Sequence, residues 1–213
     1  MPVKINEREY RNIIDLFETR KQDDGQMIVE GYATTFNQPY ELVRDKNVIV
    51  KEQVDPHAFD EADCSDTIMQ YNHDGPVFAR VSNGTLRIMP DEHGLKVIGY
   101  LGGTERGRQL FEEIDGGYIT KMSIGFNVKG EKRTRMKDED GNIVILRTLT
   151  KVGRLFDVSG VSQPANDATE ISSRAIGDGL IAEVREEVLA EEERQRKIGE
   201  IRKLLKGEQT DDE

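Results

Sequence analysis

The chain has 213 residues, 30 basic and 41 acidic side chains, and a formal charge of −11. That balance argues against nucleic acid or anionic lipid as partners, and no stretch approaches the roughly 18–20 continuous apolar residues of a membrane span. The start, MPVKINEREY, lacks the apolar run of a secretory signal, and the single cysteine, Cys64, has no mate for an internal disulfide, which fits a reducing cytoplasm.

The charge is uneven. Residues 178–213 hold 12 acids and 7 bases, a net of −5, while the first 177 residues carry the remaining −6. Glycine recurs from Gly25 to Gly160 and then thins out. The expected division is a body over 1–172, followed by a linker and a charged helical tail over 173–213.

In chain order, EYRNIIDLFETR is ambiguous: Tyr10, Ile13, Ile14 and Phe17 recur at helical spacing, yet a strand is equally reasonable. Asp24-Gly25 is a hairpin-type turn signal before the β-rich MIVEGYATTF, 27–36. VDPHAFDEA reads as a short helix start, and TIMQYNH as a strand that ends at His73 beside a tight turn. TLRIM, the turn PDEHG and LKVIGYL form a hairpin. Thr104 caps a helix over ERGRQLFEEID, whose apolar stripe is Leu110, Phe111 and Ile114, and Gly116-Gly117 ends it. YITKMSIGFNV is an apolar strand, KGEKRTRMKDEDGN a solvated loop or hairpin tip, and IVILRTLT with VGRLFDVSGVS resume the strand pattern up to Pro164. The fold class is therefore α+β, a mostly antiparallel, barrel-like body with a few helices. In the tail, Leu180, Ile181, Val184, Val188 and Leu189, then Ile198, Ile201, Leu204 and Leu205, define an amphipathic helix broken at EEERQRK. It either meets a partner helix or packs on its own body.

The candidates for chemistry are few. His57 and His93 read as surface or turn residues, whereas His73 sits at a strand terminus, where reactive groups are displayed. Cys64 with His57, His73, Asp60 or Asp63 matches no metal-ligand spacing, so no metal or cofactor is expected. Cys64 is a conceivable thiol nucleophile. Ser123, in KMSIGF, is a hydroxyl within an apolar strand, with Gly125 two residues on to let the backbone approach a substrate closely. Taken alone, it reads as a strand serine bonded to a carbonyl. Asp157 interrupts the apolar run RLFDVSGV, and a buried carboxylate there requires a partner.

The ordered set EGYATTFN, DPHAFD, YNHDGPVFARV, GLKVIGYL, GGYITKMSIGFNV and RLFDVSGVSQPAN, over roughly 10–172, resembles the tailed-bacteriophage prohead proteases, which are similar in fold to the herpesvirus assemblins. The resemblance implies a serine endopeptidase with His73 as base, Ser123 as nucleophile and Asp157 as third member, and it favours a strand over 10–20. It also implies the major capsid or scaffolding protein as substrate, cleavage of the chain itself, self-association, and action inside the assembling procapsid in the host cytoplasm. The tail would then dock a scaffold-like helix or be a self-cleaved segment. Two departures stand out: the family commonly has Glu where Asp157 falls, and P-G-A-F where this chain has Pro56-His57-Ala58-Phe59. The herpesvirus relatives use a second histidine as third member, which keeps His57 and His93 as alternatives. A non-catalytic scaffolding or structural component with the same fold is the rival reading.

Overall fold

The structure, a computed structural model, describes residues 8–13, 18–22, 25–161 and 167–207. Eleven strands and two helices are found among them: β1 (Arg8–Ile13), β2 (Glu18–Lys21), β3 (Met27–Thr35), β4 (Tyr40–Asp45), β5 (Val48–Val54), β6 (Ile68–Tyr71), β7 (Asp74–Arg80), β8 (Leu86–Pro90), β9 (Gly94–Tyr100), α1 (Glu105–Asp115), β10 (Lys121–Lys137), β11 (Ile143–Val161) and α2 (Asp167–Gly207). The body is mostly β, as the composition of its segments leads one to expect.

Two sheets share the core. The larger runs β1-β10-β11-β5-β4, with β6 and then β7 attached beside β11, and the smaller runs β2-β3-β9-β8. All pairings are antiparallel except those of β5 and β6 with β11. The long strand β11 therefore serves two neighbours in succession, β5 along 143–149 and β6 along 157–160. Register shifts between Gly125 and Glu131 increase the local twist of the β10–β11 ribbon and bend it. The result is a curled half-barrel. Alternate residues of the strands, among them Val29, Val97, Ile124, Phe126 and Val158, fill its interior with Leu110, Phe111 and Ile114 of α1. Thr104 caps that helix as its sequence predicts, accepting a bond from the Gly107 amide at 3.0 Å.

Several local expectations change. The ambiguous start is β-stranded at 8–13 and 18–21, and Ile14, Phe17 and Asp24 lie outside the described residues. VDPHAFDEA is not a helix. It makes successive four-residue turns, with the amides of Ala58, Asp60 and Ala62 bonded to the carbonyls of Asp55, His57 and Phe59. The charged run after Val128 remains strand to Lys137, because the full-length partner β11 supplies a ladder; most of its charges face solvent, while Glu131 turns to the buried Arg147 at 2.6 Å, and only 138–142 form the tip.

The tail also differs. Helix α2 runs unbroken through both the expected linker and EEERQRK. Glu, Arg, Gln and Lys are good helix formers, and Lys197 pairs with Glu193 one turn away at 2.9 Å. Its first part packs on the body: Ile176, Leu180, Ile181 and Val184 bury against Val48, Val50 and Ile145. Gly177 makes this close approach necessary to explain, since a Cβ there would stand 2.0 Å from Val43 Cγ1. Of the two readings of the tail, packing on its own body holds for this part, whereas Leu189 and Ile201 are exposed.

Candidate active site

His73 reaches its position through a turn. Strands β6 and β7 are joined by Asn72 and His73, with φ of +50° and +61°. A two-residue hairpin with both central residues left-handed matches the twist of its strands, and Asn and His tolerate that region better than most. The Asn72 amide donates to the Gly160 carbonyl at 2.9 Å, which fastens the turn to β11.

The imidazole is thereby set between two elements. Its Nε2 lies 2.6 Å from Ser123 Oγ on β10, and its Nδ1 lies 2.5 Å from Asp157 Oδ1 on β11. Ser123 and Asp157 are wholly buried, and the His73 side chain is 4% exposed. The three side chains singled out from sequence thus converge within hydrogen-bond reach. Tyr10 of β1 packs edge-on against the ring, with centroids 4.5 Å apart.

Proton bookkeeping follows from the partners. A buried carboxylate accepts only, so the bond at Nδ1 places the imidazole proton there and leaves Nε2 as an acceptor. Ser123 Oγ then has one proton and two acceptors in reach, His73 Nε2 and the Arg11 carbonyl at 3.0 Å. The Arg11 contact is the carbonyl bond expected of an ordinary strand serine, and the His73 contact stands beside it.

Asp157 is heavily supported. Burial alone would raise its carboxyl, but the His73 bond, the Ser159 hydroxyl bond and the Arg8 guanidinium outweigh it and hold the group below its ordinary range. Ser159 Oγ donates to Oδ1 at 2.7 Å, and Arg8 Nη2 donates to Oδ2. Arg8 in turn lies against the rings of Tyr10 and Phe156, at 5.0 and 4.9 Å. Gly125 has a different role from the one its sequence context suggests. It is the cross-strand partner of Asp157, and a Cβ there would lie 2.3 Å from Asp157 Oδ2 and 2.8 Å from Arg8 Nε. The missing side chain makes room for this ion pair rather than for a substrate.

The alternatives fall elsewhere. His57 is exposed and bonds Asp60 through Nδ1 at 2.9 Å. His93 packs edge-on against Tyr32 with centroids 4.4 Å apart. Neither occupies the position beside His73 Nδ1, which Asp157 holds. Burial and then the Asp63 charge push the Cys64 thiol up to about 11, so it stays protonated at neutral pH and is a poor nucleophile. No cluster of three or more metal-ligating side chains occurs among the described residues. Nor is any helix among them long and apolar enough to cross a membrane.

Sequence reasoning missed Arg8, Tyr10 and Ser159. Ser159 had a signal, because it stands two residues beyond Asp157 in a strand and so shares its face. Arg8 and Tyr10 had none, since β1 pairs with a strand more than 100 residues away.

The model of the caudovirus prohead serine protease family matches residues 15–179. The chain belongs to that family. The matched span contains His73, Ser123 and Asp157, while β1 precedes it. Among solved structures, the chain is similar to the bacteriophage T4 capsid assembly protease, with 10% identity, a TM-score of 0.39, and coverage of 73% of this chain and 99% of that one. No curated protein matches. The family expected from the ordered motifs is thus the family found.

Proposed function

We propose that the protein is a serine endopeptidase of procapsid maturation, in which Ser123 is the nucleophile, His73 the general base and acid, and Asp157 the group that orients the imidazole. The observation that carries this reading is the paired contact of one ring: Nε2 at 2.6 Å from Ser123 Oγ and Nδ1 at 2.5 Å from Asp157 Oδ1. Ser123 Oγ attacks the scissile carbonyl carbon as its proton passes to His73 Nε2. Asp157 stays ionised and stabilises the imidazolium. The proton then passes from Nε2 to the departing amine nitrogen as the peptide C–N bond breaks, leaving an ester on Ser123. Water, deprotonated by His73, hydrolyses that ester and restores the serine.

Access is part of the proposal. Strand β1 pairs with β10 along 122–127, the edge on which an extended peptide would add beside Ser123. It covers the serine and presents the Arg11 carbonyl to its hydroxyl. A substrate therefore reaches Ser123 only after β1 has left this edge.

The substrates are capsid or scaffolding protein and the chain itself, inside the assembling procapsid, with self-association as a further element. The division at 172 is functional: His73, Ser123 and Asp157 all precede it, and within 173–213 the part beyond Val188, past the stretch packed on the body, serves as a docking or self-cleaved segment. Deleting 178–213 should then alter packaging or self-cleavage. For the catalytic claim, wild type and Ser123→Ala are each expressed with the capsid and scaffolding proteins, and fragment masses are followed. Processing should vanish in a folded Ser123→Ala protein. Equal processing by both would instead leave a structural component that keeps the protease fold.

A further inference from the structure

Ser159 shares a face of β11 with Asp157, and its cross-strand partner on β10 is Ser123. It is wholly buried. Its hydroxyl donates at 2.7 Å to Asp157 Oδ1, the same oxygen that takes the His73 bond. The other carboxylate oxygen is held by Arg8. These two supports differ in permanence. Arg8 has a side chain 36% exposed and rides on β1, the strand that must leave for a substrate to enter. Ser159 is on the same strand as the carboxylate and remains with it.

We infer that Ser159 is a positioning residue of the uncovered site, holding Asp157 Oδ1 in line with His73 Nδ1 once Arg8 has gone. This rests on the catalytic reading above. With β1 in place, Asp157 has donors on both oxygens, and its orientation is over-determined. With β1 gone, the Ser159 bond is the one that keeps the carboxylate from turning within the space Gly125 leaves open. A mobile carboxylate holds the imidazole proton on Nδ1 less firmly, and Nε2 is then a poorer acceptor for the Ser123 proton.

The test uses the full chain expressed with the capsid and scaffolding proteins of the same phage, comparing wild type, Ser123→Ala, Ser159→Ala, Ser159→Cys and Ser159→Thr. Loss of a bond to a charged acceptor corresponds to a fall of about tenfold to a hundredfold in processing rate for Ser159→Ala. Ser159→Thr keeps the hydroxyl and should recover most of the rate, while Ser159→Cys keeps the volume with a weak donor and should not. In parallel, the His73 Nδ1 proton is observed by NMR of the purified chains in an Arg8→Ala background, which removes the β1 support of Asp157 Oδ2. In that background it should be sharp with Ser159 or Ser159→Thr, and broadened by exchange in Ser159→Ala and Ser159→Cys. If Ser159→Ala does not fold, the Cys and Thr pair carries the comparison. Wild-type processing in Ser159→Ala or Ser159→Cys overturns the role. So does a slow variant whose His73 proton is unchanged, since the serine would then serve packing alone. Processing that survives Ser123→Ala is a separate outcome: it removes the catalytic reading, and the positioning role with it.

Discussion

Strand β1 has a buried polar cluster on each of its two faces. Arg8 and Tyr10 turn toward Asp157 and His73. Glu9 and Arg11, one residue along, turn to the other side and join Glu52 and Arg147. In that second cluster Arg11 bonds Glu52 at 2.5 Å, Arg147 bonds Glu52 at 2.5 Å and Glu9 at 3.0 Å, and Tyr40 donates to Glu52 at 2.5 Å. Burial works against the Glu52 carboxylate, but Arg11 and Arg147 override it and bring its pKa down to about 2. Both clusters are buried, dense and charged, yet only one suits catalysis. Arginine does not release its proton in proteins, so the Glu9–Arg11–Glu52–Arg147 cluster has nothing to hand over near neutral pH. The other cluster contains an imidazole with a free acceptor nitrogen and a hydroxyl with a choice of acceptors. Burial of charge is common to both; a movable proton is what separates them.

The contrast is broken most severely at Asp157. Asp157→Asn removes the charge that fixes the His73 tautomer, and the expected loss in processing rate is on the order of 10⁴-fold, by analogy with the aspartate of a serine-protease triad. Unfolding by denaturant should change far less, since the amide retains the shape of the carboxylate. Rates within tenfold of wild type would remove Asp157 from the mechanism.

Glu52→Ala should show the opposite pattern. It leaves Arg11 and Arg147 buried without their main counter-charge, and breaking a buried pair in this way costs about 3–5 kcal/mol. The measurement is the denaturation midpoint at pH 7. A midpoint close to wild type would mean that the arginines re-pair with Glu9 and Glu131 alone.

Acid sharpens the same difference. The folded Glu52 carboxyl titrates at about 2, below its ordinary 4.5. A depressed carboxyl stabilises the fold fully above its unfolded value, and that contribution is lost as pH falls from about 4.5 to about 2. Asp157 acts in the same direction over its own acidic window. Wild-type melting temperature should therefore fall more steeply than that of Glu52→Gln over this interval, and the two curves should converge at its acid end. Parallel curves would show that Glu52 contributes nothing to the acid limb.

What the sequence revealed follows the range of the interactions. The β8–β9 hairpin and the Thr104-capped helix α1 are specified by neighbours in the chain, and both were legible. Asp157 was legible as an acid within an apolar run. His73 and Ser123 were assigned as a pair only through the order of motifs along the chain; the context of Ser123 alone favours an ordinary strand serine. The parallel seats of β5 and β6 on β11, and the Arg8–Asp157 ion pair across 149 positions, depend on contacts that no local pattern encodes. Gly125 was noticed but misread, because the object filling its missing side chain comes from another strand.

The smallest expected effect lies where charges meet in water. Helix α2 is tied to the β10 arm by Arg133–Glu183 at 2.7 Å and Arg135–Glu187 at 3.2 Å, and to β4 by Arg185–Asp45 at 2.5 Å. The six side chains are 39–68% exposed, so solvent and salt screen them. Beneath them, Ile176, Leu180, Ile181 and Val184 are dry, and this apolar contact is what holds the helix down. Replacing Arg133 and Arg135 together by Ala should then lower stability by less than about 1 kcal/mol, and by less still in 1 M salt. These pairs have geometry similar to those around Glu52 and differ chiefly in depth. A loss as large as that of Glu52→Ala, undiminished by salt, would mean that depth is not what sets the strength of an ion pair in this fold.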